Sequence, residues 1–186
     1  MIEFRDVTKR FEEEKVLEHL SLQLSDGGCY ALTAPSGWGK TTVLRLLAGL
    51  EKPDSGTITG LPARVSMVFQ EDRLLREKSA EGNVALVLPA GHDPIEPELA
   101  AVGLEDCGEK PVKVFSGGMK RRVAIVRAMM ADSELLLLDE PFKGLDEAAK
   151  EKTMAYVQRR RAGRTLVLVT HDKQEAEYFH CQIISK

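Results

Sequence analysis

Residues 34–42, reading Ala-Pro-Ser-Gly-Trp-Gly-Lys-Thr-Thr, constrain this chain more than any other stretch. They follow an apolar, strand-like run at 29–32 and open a helix-like run at 41–50. Strand, glycine-bearing loop and helix, in that order, are the setting of a phosphate-binding loop. Gly37 and Gly39 let the backbone curl so that successive N–H groups point inward at phosphate oxygens. The helix beginning near Lys40 adds the positive end of its dipole. Lys40 supplies a mobile cation for β- and γ-phosphates, and the Thr41 hydroxyl is a hard oxygen suited to Mg²⁺. Ala34 stands where the pattern G-x-x-x-x-G-K-[ST] has its first glycine. A positive φ there would cost about 1 kcal/mol; a negative φ costs nothing. The alternative is an ordinary glycine-rich turn carrying a surface lysine.

The 186 residues suit one domain of ordinary size with room for a small subdomain. Hydrophobic residues at 43% and charged residues at 30% mark a globular chain. A formal net charge of -3 gives no overall basic field for nucleic acid. No apolar run reaches the roughly 18 residues that cross a bilayer, and the first six residues carry no signal-peptide core, so a cytoplasmic protein is expected. Cys29, Cys107 and Cys181 are widely spaced, fit no metal pattern and read as reduced thiols.

Upstream of the loop, residues 2–7 and 16–24 read as strands, with a turn at 25–28. Phe11, between the two strands, reads as a core or turn aromatic or as a flat surface for a base. Past the loop, the helix breaks at 51–56, and strands are expected at 57–59 and 65–69. Gln70 follows at a strand end, where ligand groups collect in α/β sheets, although a lone glutamine there is usually a polar cap. Residues 71–114 read as a small, mostly helical insertion.

A helix is expected from 115 to about 131. Ser116 is its N-cap, and Gly117 and Gly118 allow close approach to its first amides. That is either a second anion-binding helix start or a capped helix with a solvated basic face. Residues 135–138 are four leucines, the mark of a central parallel strand buried on both faces. The run ends in Asp139, which can hold Mg²⁺ directly or through water, and Glu140, which can orient and deprotonate a water. A turn at 141–146, a helix at 147–161 with a basic end and a strand at 165–169 come next. His171 is another polar group at a strand end. A helix at 174–180 and a strand at 182–185 close the chain.

Taken together, these motifs resemble the nucleotide-binding domain of ATP-binding cassette (ABC) transporters along nearly the whole length. Residues 34–42 are similar to Walker A, 135–140 to Walker B with its glutamate, and 116–118 to the core of the LSGGQ signature. Gln70 falls at the Q-loop, residues 144–146 at the D-loop, His171 at the switch histidine, and Phe11 where the family places an aromatic against adenine. The chain departs from the family pattern at Ala34, at Met119 in place of the signature glutamine, and at Lys143, where the D-loop is usually Ser-Ala-Leu-Asp. Within the family it is most similar to compact importer ATPases of the nitrate, sulfonate and taurine type.

The resemblance implies an α/β P-loop NTPase fold of ABC type: one domain, 1–186, with a mixed-sheet core at 1–70 and 115–186 and a helical lobe at about 71–114. It implies ATP and Mg²⁺ as ligands. Phe11, Ser36, Gly37, Trp38, Gly39, Lys40, Thr41 and Thr42 would bind nucleotide in one chain, with Ser116, Gly117 and Gly118 acting from a second. Thr41, Gln70 and Asp139 would hold the metal, Asp146 would lie at the dimer contact, and Glu140, His171, Lys40 and Gln70 would serve hydrolysis. Implied partners are a second ATP-binding subunit, transmembrane permease subunits and a substrate-binding protein, with no nucleic acid, at the inner face of the cell membrane. Soluble ABC ATPases working on ribosomes, DNA or iron–sulfur assembly are a rival reading, as is a nucleotide-binding module with weak hydrolysis. Tandem cassettes, long coiled coils or a basic stripe would favour the first; a missing Lys40, Asp139, Glu140 or His171 would favour the second.

Overall fold

The computed structural model describes residues 1–12 and 14–185. Among the described residues, eight strands and six α-helices follow in the order β1 (Ile2–Phe11), β2 (Glu14–Leu24), β3 (Cys29–Leu32), α1 (Lys40–Leu47), β4 (Ser55–Thr59), β5 (Val65–Val68), α2 (Ala80–Val84), α3 (Glu96–Ala100), α4 (Gly117–Met130), β6 (Leu135–Asp139), α5 (Glu147–Arg161), β7 (Thr165–Val169), α6 (Lys173–Tyr178) and β8 (Gln182–Ile184). They fall into two compact units, one of residues 1–67, 134–139 and 163–186, the other of 68–133 and 140–162.

The first unit is built on two sheets. β1 is central in an antiparallel sheet ordered β2-β1-β4. Both hairpin strands run longer than the alternation at 2–7 and 16–24 suggests. Register shifts interrupt the β1–β2 ladder between Phe4 and Val7, Val7 and Lys9, and Lys9 and Arg10. Each shift breaks the period of two without ending the strand. Phe11 is therefore the last residue of β1, 37% exposed, and not a core aromatic.

The second sheet is ordered β5-β6-β7-β3-β8, with β6–β7, β7–β3 and β3–β8 all parallel. Every residue of β6 and β7 is buried, as continuous leucine and β-branched runs require. Leu32 pairs with Val169 and Val169 with Asp139, so β3, β6 and β7 end level with one another. The loop 33–39, Asp139 and the segment from Thr170 thus leave one edge of the sheet. Val43, Leu44, Leu46 and Leu47 of α1 pack into the same core as Leu135, Leu137 and Val167. The helix stops at Leu47, short of residue 50, because Gly49 takes a φ of 68°. The Gly49 and Leu50 amides then donate back to Leu46 and Arg45.

The second unit contains all of residues 71–114 and adds α4 and α5. Its helices α2 and α3 have five residues each, and α2 is held by side chains more than by periodicity. Ser79 caps α2 by accepting from the Gly82 amide. The fully buried Asn83 accepts from the Leu75 amide at 2.8 Å and donates to the carbonyls of Leu75 at 3.1 Å and Ser79 at 2.9 Å. A buried amide so satisfied fixes the backbone around it.

Candidate functional site

The loop after β3 forms as its sequence requires. Gly37 and Gly39 take φ of 83° and 94°, where glycine alone is comfortable. A Cβ on Gly39 would also come within 2.7 Å of the Leu17 side chain. Ala34 lies outside the positive-φ region, so replacing the first glycine costs the loop nothing. Its carbonyl instead accepts from Lys40 Nζ at 2.6 Å, and the Pro35 carbonyl accepts from the same ammonium at 3.0 Å. Lys40 is only 7% exposed, its charge folded into the hollow of its own loop. The first helical bond runs from the Val43 amide to the Gly39 carbonyl. The amides of Lys40, Thr41 and Thr42 therefore sit ahead of the hydrogen-bond ladder at the positive end of α1. Ser36 is exposed, and Trp38 packs half-buried against the core that includes Leu17.

Across the sheet edge, the Thr41 hydroxyl donates to Asp139 Oδ2 at 2.9 Å. These two residues stand 98 positions apart and meet because β3 and β6 end at the same level. Asp139 is 3% exposed, so a buried carboxylate and a hydroxyl converge beside a buried lysine. After β7, Thr170 is buried and donates to Glu175 Oε2, and its hydroxyl accepts from the Asp172 amide at 3.0 Å. That pair fixes the turn presenting the exposed His171. His171 borders a cavity of about 530 Å³ with Thr33, Lys173, Glu177 and His180.

The second unit holds the remaining candidates. Gln70 is exposed, and its carbonyl accepts from Arg121 Nη2. Ser116 caps α4 through its hydroxyl, which accepts from the Met119 amide at 3.2 Å. A Cβ on Gly118 would approach Leu145 Cδ2 to 3.3 Å, whereas one on Gly117 would meet nothing within 4 Å. Asp146 caps α5, accepting from the Ala149 amide at 2.9 Å. Glu140 has a φ of 46°, an uncommon conformation for a residue with a side chain, costing about 1 kcal/mol, and its carboxylate meets Lys143 Nζ at 2.5 Å.

A family model described as ABC transporter matches residues 17–143. The chain belongs to the ABC transporter family. An ABC relative from Nitratidesulfovibrio vulgaris, the spermidine/putrescine import ATP-binding protein PotA, is 37% identical over 95% of this chain and 53% of its own length. The aliphatic sulfonates import ATP-binding protein SsuB 1 of Agrobacterium fabrum is 41% identical over 93% of this chain and 66% of its own. The chain thus spans about half to two thirds of the length of these relatives. Among solved structures, the dimeric structure of MJ0796, a bacterial ABC transporter cassette, superposes with a TM-score of 0.87 at 27% identity, covering 100% of this chain and 94% of that one. A post-hydrolysis state of the same cassette bound to ADP and Pi superposes with a TM-score of 0.85.

Two supports of this ABC cassette are absent from the motif pattern. Arg121 of α4, 9% exposed, donates to the Phe69 carbonyl at 2.6 Å as well as to that of Gln70, and lies 3.3 Å from Asp72. Burial pushes the Asp72 carboxyl up, while Arg121 pulls it down. Arg127, one helical face further on, donates to the carbonyls of Arg73 at 2.9 Å and Asp72 at 3.1 Å. The segment 69–73 is therefore clasped by the helix that Ser116 caps. The other support is the Thr170–Glu175 bond beneath His171. Buried arginine and glutamate are the available signals, since such groups are rarely buried without partners, but only the fold names those partners.

Proposed function

We propose that this chain binds MgATP and hydrolyses it as the nucleotide-binding subunit of an ABC transporter, working as a head-to-tail pair beneath separate membrane subunits. The meeting of the Thr41 hydroxyl with the buried Asp139 carboxylate, beside Lys40, carries the reading. The donor set suits Mg²⁺: two hard oxygens, the Thr41 hydroxyl in the first turn of α1 and the Asp139 carboxylate at the end of β6. Magnesium keeps much of its water shell and takes one or two protein ligands with phosphate oxygens. When bound, it neutralises charge on the β- and γ-phosphates.

In this reading the amides of Gly39, Lys40, Thr41 and Thr42 cradle phosphate, and Lys40 turns from the Ala34 and Pro35 carbonyls to the β- and γ-oxygens. Ser36, Gly37 and Trp38 complete the cradle, and the exposed Phe11 stacks on the base. Thr41 and Asp139 would hold the metal, and the family resemblance alone assigns Gln70 to it. Glu140 takes a proton from the attacking water as that water's oxygen bonds to the γ-phosphorus and the bond to ADP breaks. His171 holds water and γ-phosphate in line. Ser116, Gly117 and Gly118 of a second chain cover the same ATP, and Asp146 lies at that contact. The unobstructed space over Gly117 and the dimeric state named for MJ0796 both support the pairing.

Among the described residues no helix is long and apolar enough to cross a membrane. On the likeness to import ATP-binding proteins, we assign the membrane path to separate permease subunits, with this chain peripheral at the cytoplasmic face and a substrate-binding protein as a further partner. Relatives named for polyamine and sulfonate import lie at nearly equal identity, so the shared motifs carry ATP chemistry and not cargo choice.

Trp38, the only tryptophan, tests the loop directly. Its emission should change in intensity or wavelength as MgATP is titrated in, because the loop packs and sheds water around the ligand. An unchanged spectrum at concentrations where equilibrium dialysis shows ATP bound would remove the loop from the site. His171→Ala should leave ATP affinity nearly intact and cut kcat by roughly tenfold or more, because a group that aligns the reacting water acts on the transition state more than on bound substrate. Steady-state kinetics decide it: a raised KM with unchanged kcat would make His171 a binding residue.

A further inference from the structure

Lys9 is a buried charge that the ATP chemistry described above does not use, and it is 9% exposed. A lysine so far from water needs partners, and the turn after α1 supplies them. Lys9 Nζ donates to the Lys52 carbonyl at 3.0 Å and lies 3.3 Å from Glu51 Oε2 and 3.7 Å from Asp54 Oδ1. The same turn is laced to β1 on both sides of Lys9. The Asp54 amide donates to the Thr8 carbonyl at 2.9 Å, and Asp54 Oδ2 accepts from the Arg10 amide at 2.6 Å. Just beyond, Ser55 of β4 pairs with Thr8. The ammonium therefore has a fixed place near the end of β1. That place is over the ring of Phe11, 5.2 Å from its centroid, within the reach of a cation–π contact. Because the ammonium is buried, the ring face it covers is the inward one. The 37% of Phe11 that is exposed then belongs to the opposite face and the ring edge.

We propose that Lys9 is a positioning residue for the base of ATP, holding the Phe11 ring from behind so that its free face is presented in one orientation. The proposal rests on the reading of Phe11 as the ring that stacks on the base. A phenylalanine at a strand end, open on one side, gives up side-chain freedom when a ligand settles on it, and that loss weakens binding. A partner behind the ring removes the freedom before the ligand arrives. A cation suits the task, because the negative face of the ring draws it toward the ring centre and so fixes the tilt. Its three acceptors keep it from following the ring outward. The arrangement also ties the two ends of the nucleotide together. α1 opens at the phosphate loop and ends at Leu47, and the turn that follows it grips Lys9. One short helix thus joins the loop that takes the phosphates to the lysine that steadies the ring.

Binding measurements on the purified full chain separate the base from the phosphates. Isothermal titration calorimetry in the Glu140→Gln background keeps turnover out of the signal. Lys9→Met should bind ATP roughly threefold more weakly than this parent, the size of one cation–π contact. It should bind inorganic tripolyphosphate, which has no base, as tightly as the parent does. Phe11→Ala should lose roughly tenfold in ATP affinity, the effect of removing one stacking ring, and nothing for tripolyphosphate. Lys9→Met added to Phe11→Ala should cost no further ATP affinity, since no ring is left to hold. Lys9→Arg, which keeps a cation behind the ring, should stay nearer the parent. The side chains of Glu51 and Asp54 are 27% and 47% exposed, so water can take over from the ammonium. Lys9→Gln can still donate to their oxygens, carries the same expectations, and replaces Lys9→Met if that variant does not fold. If Phe11→Ala keeps the parent's ATP affinity, Phe11 does not take the base, and the role of Lys9 falls with it. Where Phe11→Ala does lose affinity, three results overturn the role of Lys9 alone. They are a Lys9→Met that binds ATP like the parent, one that weakens tripolyphosphate equally, and one that costs as much without the ring as with it.

Discussion

Glu140→Gln should bind ATP, cease to hydrolyse it and hold two chains together. Glutamine keeps the shape and hydrogen-bonding capacity of the side chain but cannot accept the proton of the attacking water. General-base removal of this kind lowers turnover by roughly 100-fold or more. The change also deletes a negative charge from the region of the γ-phosphate, so ATP binding should tighten and not weaken. Lys143 would lose its ionic partner, yet that lysine side chain is 65% exposed and its charge stays hydrated, so the fold should survive. If each ATP is shared between Lys40 of one chain and Ser116 of another, uncleaved ATP should act as a link. Size-exclusion chromatography with light scattering should then show a dimer with ATP and a monomer with ADP, which lacks the γ-phosphate. The wild-type chain should show little dimer with ATP, because hydrolysis dissolves the link. Ser116→Arg in the same background places a bulky side chain at the exposed start of α4 and should restore the monomer. A Glu140→Gln protein that binds ATP and stays monomeric at high concentration would argue against shared sites in the isolated chain.

The features legible in the sequence are those whose signal is local. The loop at 34–42 announces itself by spacing, the four leucines of β6 by continuous burial, and the start of α4 by Ser116, which caps as its chemistry requires; Asp146, read as a turn residue, proves to cap α5. The helices of residues 71–114 are harder to read because five-residue helices show no period; Asn83, which organises α2, looks like an interruption of an apolar run. The length of β1 is hidden by its register shifts, and with it the exposed place of Phe11. Ala34 illustrates a different limit, since its identity says nothing of its φ until the loop is built. Arg121 reaches a carbonyl 52 positions away, a distance no local pattern encodes. The Glu140–Lys143 pair is close in sequence, but it forms only because Pro141 and a buried Phe142 fold the turn between them.

Lys40→Ala should lose ATP binding by roughly 100-fold or more, the magnitude expected when a charge-assisted contact to buried phosphate is removed. The geometry argues for a specific effect and not for general damage. Lys40 Nζ is held by the carbonyls of Ala34 at 2.6 Å and Pro35 at 3.0 Å, within its own loop. Those carbonyls lie next to exposed Ser36 and Gly37, so water can replace the ammonium when the lysine is gone, and the melting temperature should move little. Phosphate has no such substitute. Its oxygens would enter a hollow that keeps its amide donors but has lost its cation, and a buried anion without that partner is costly. Lys40→Arg should not restore binding in full, because a planar guanidinium does not fit where a 7%-exposed ammonium is enclosed by loop backbone. Equilibrium binding of a fluorescent ATP analogue to Lys40→Ala, made in the Glu140→Gln background so that turnover cannot intrude, separates affinity from catalysis. Wild-type affinity in a folded Lys40→Ala protein would mean that the lysine serves the loop and not the nucleotide. A large loss of affinity with an unchanged melt places its charge on the phosphates.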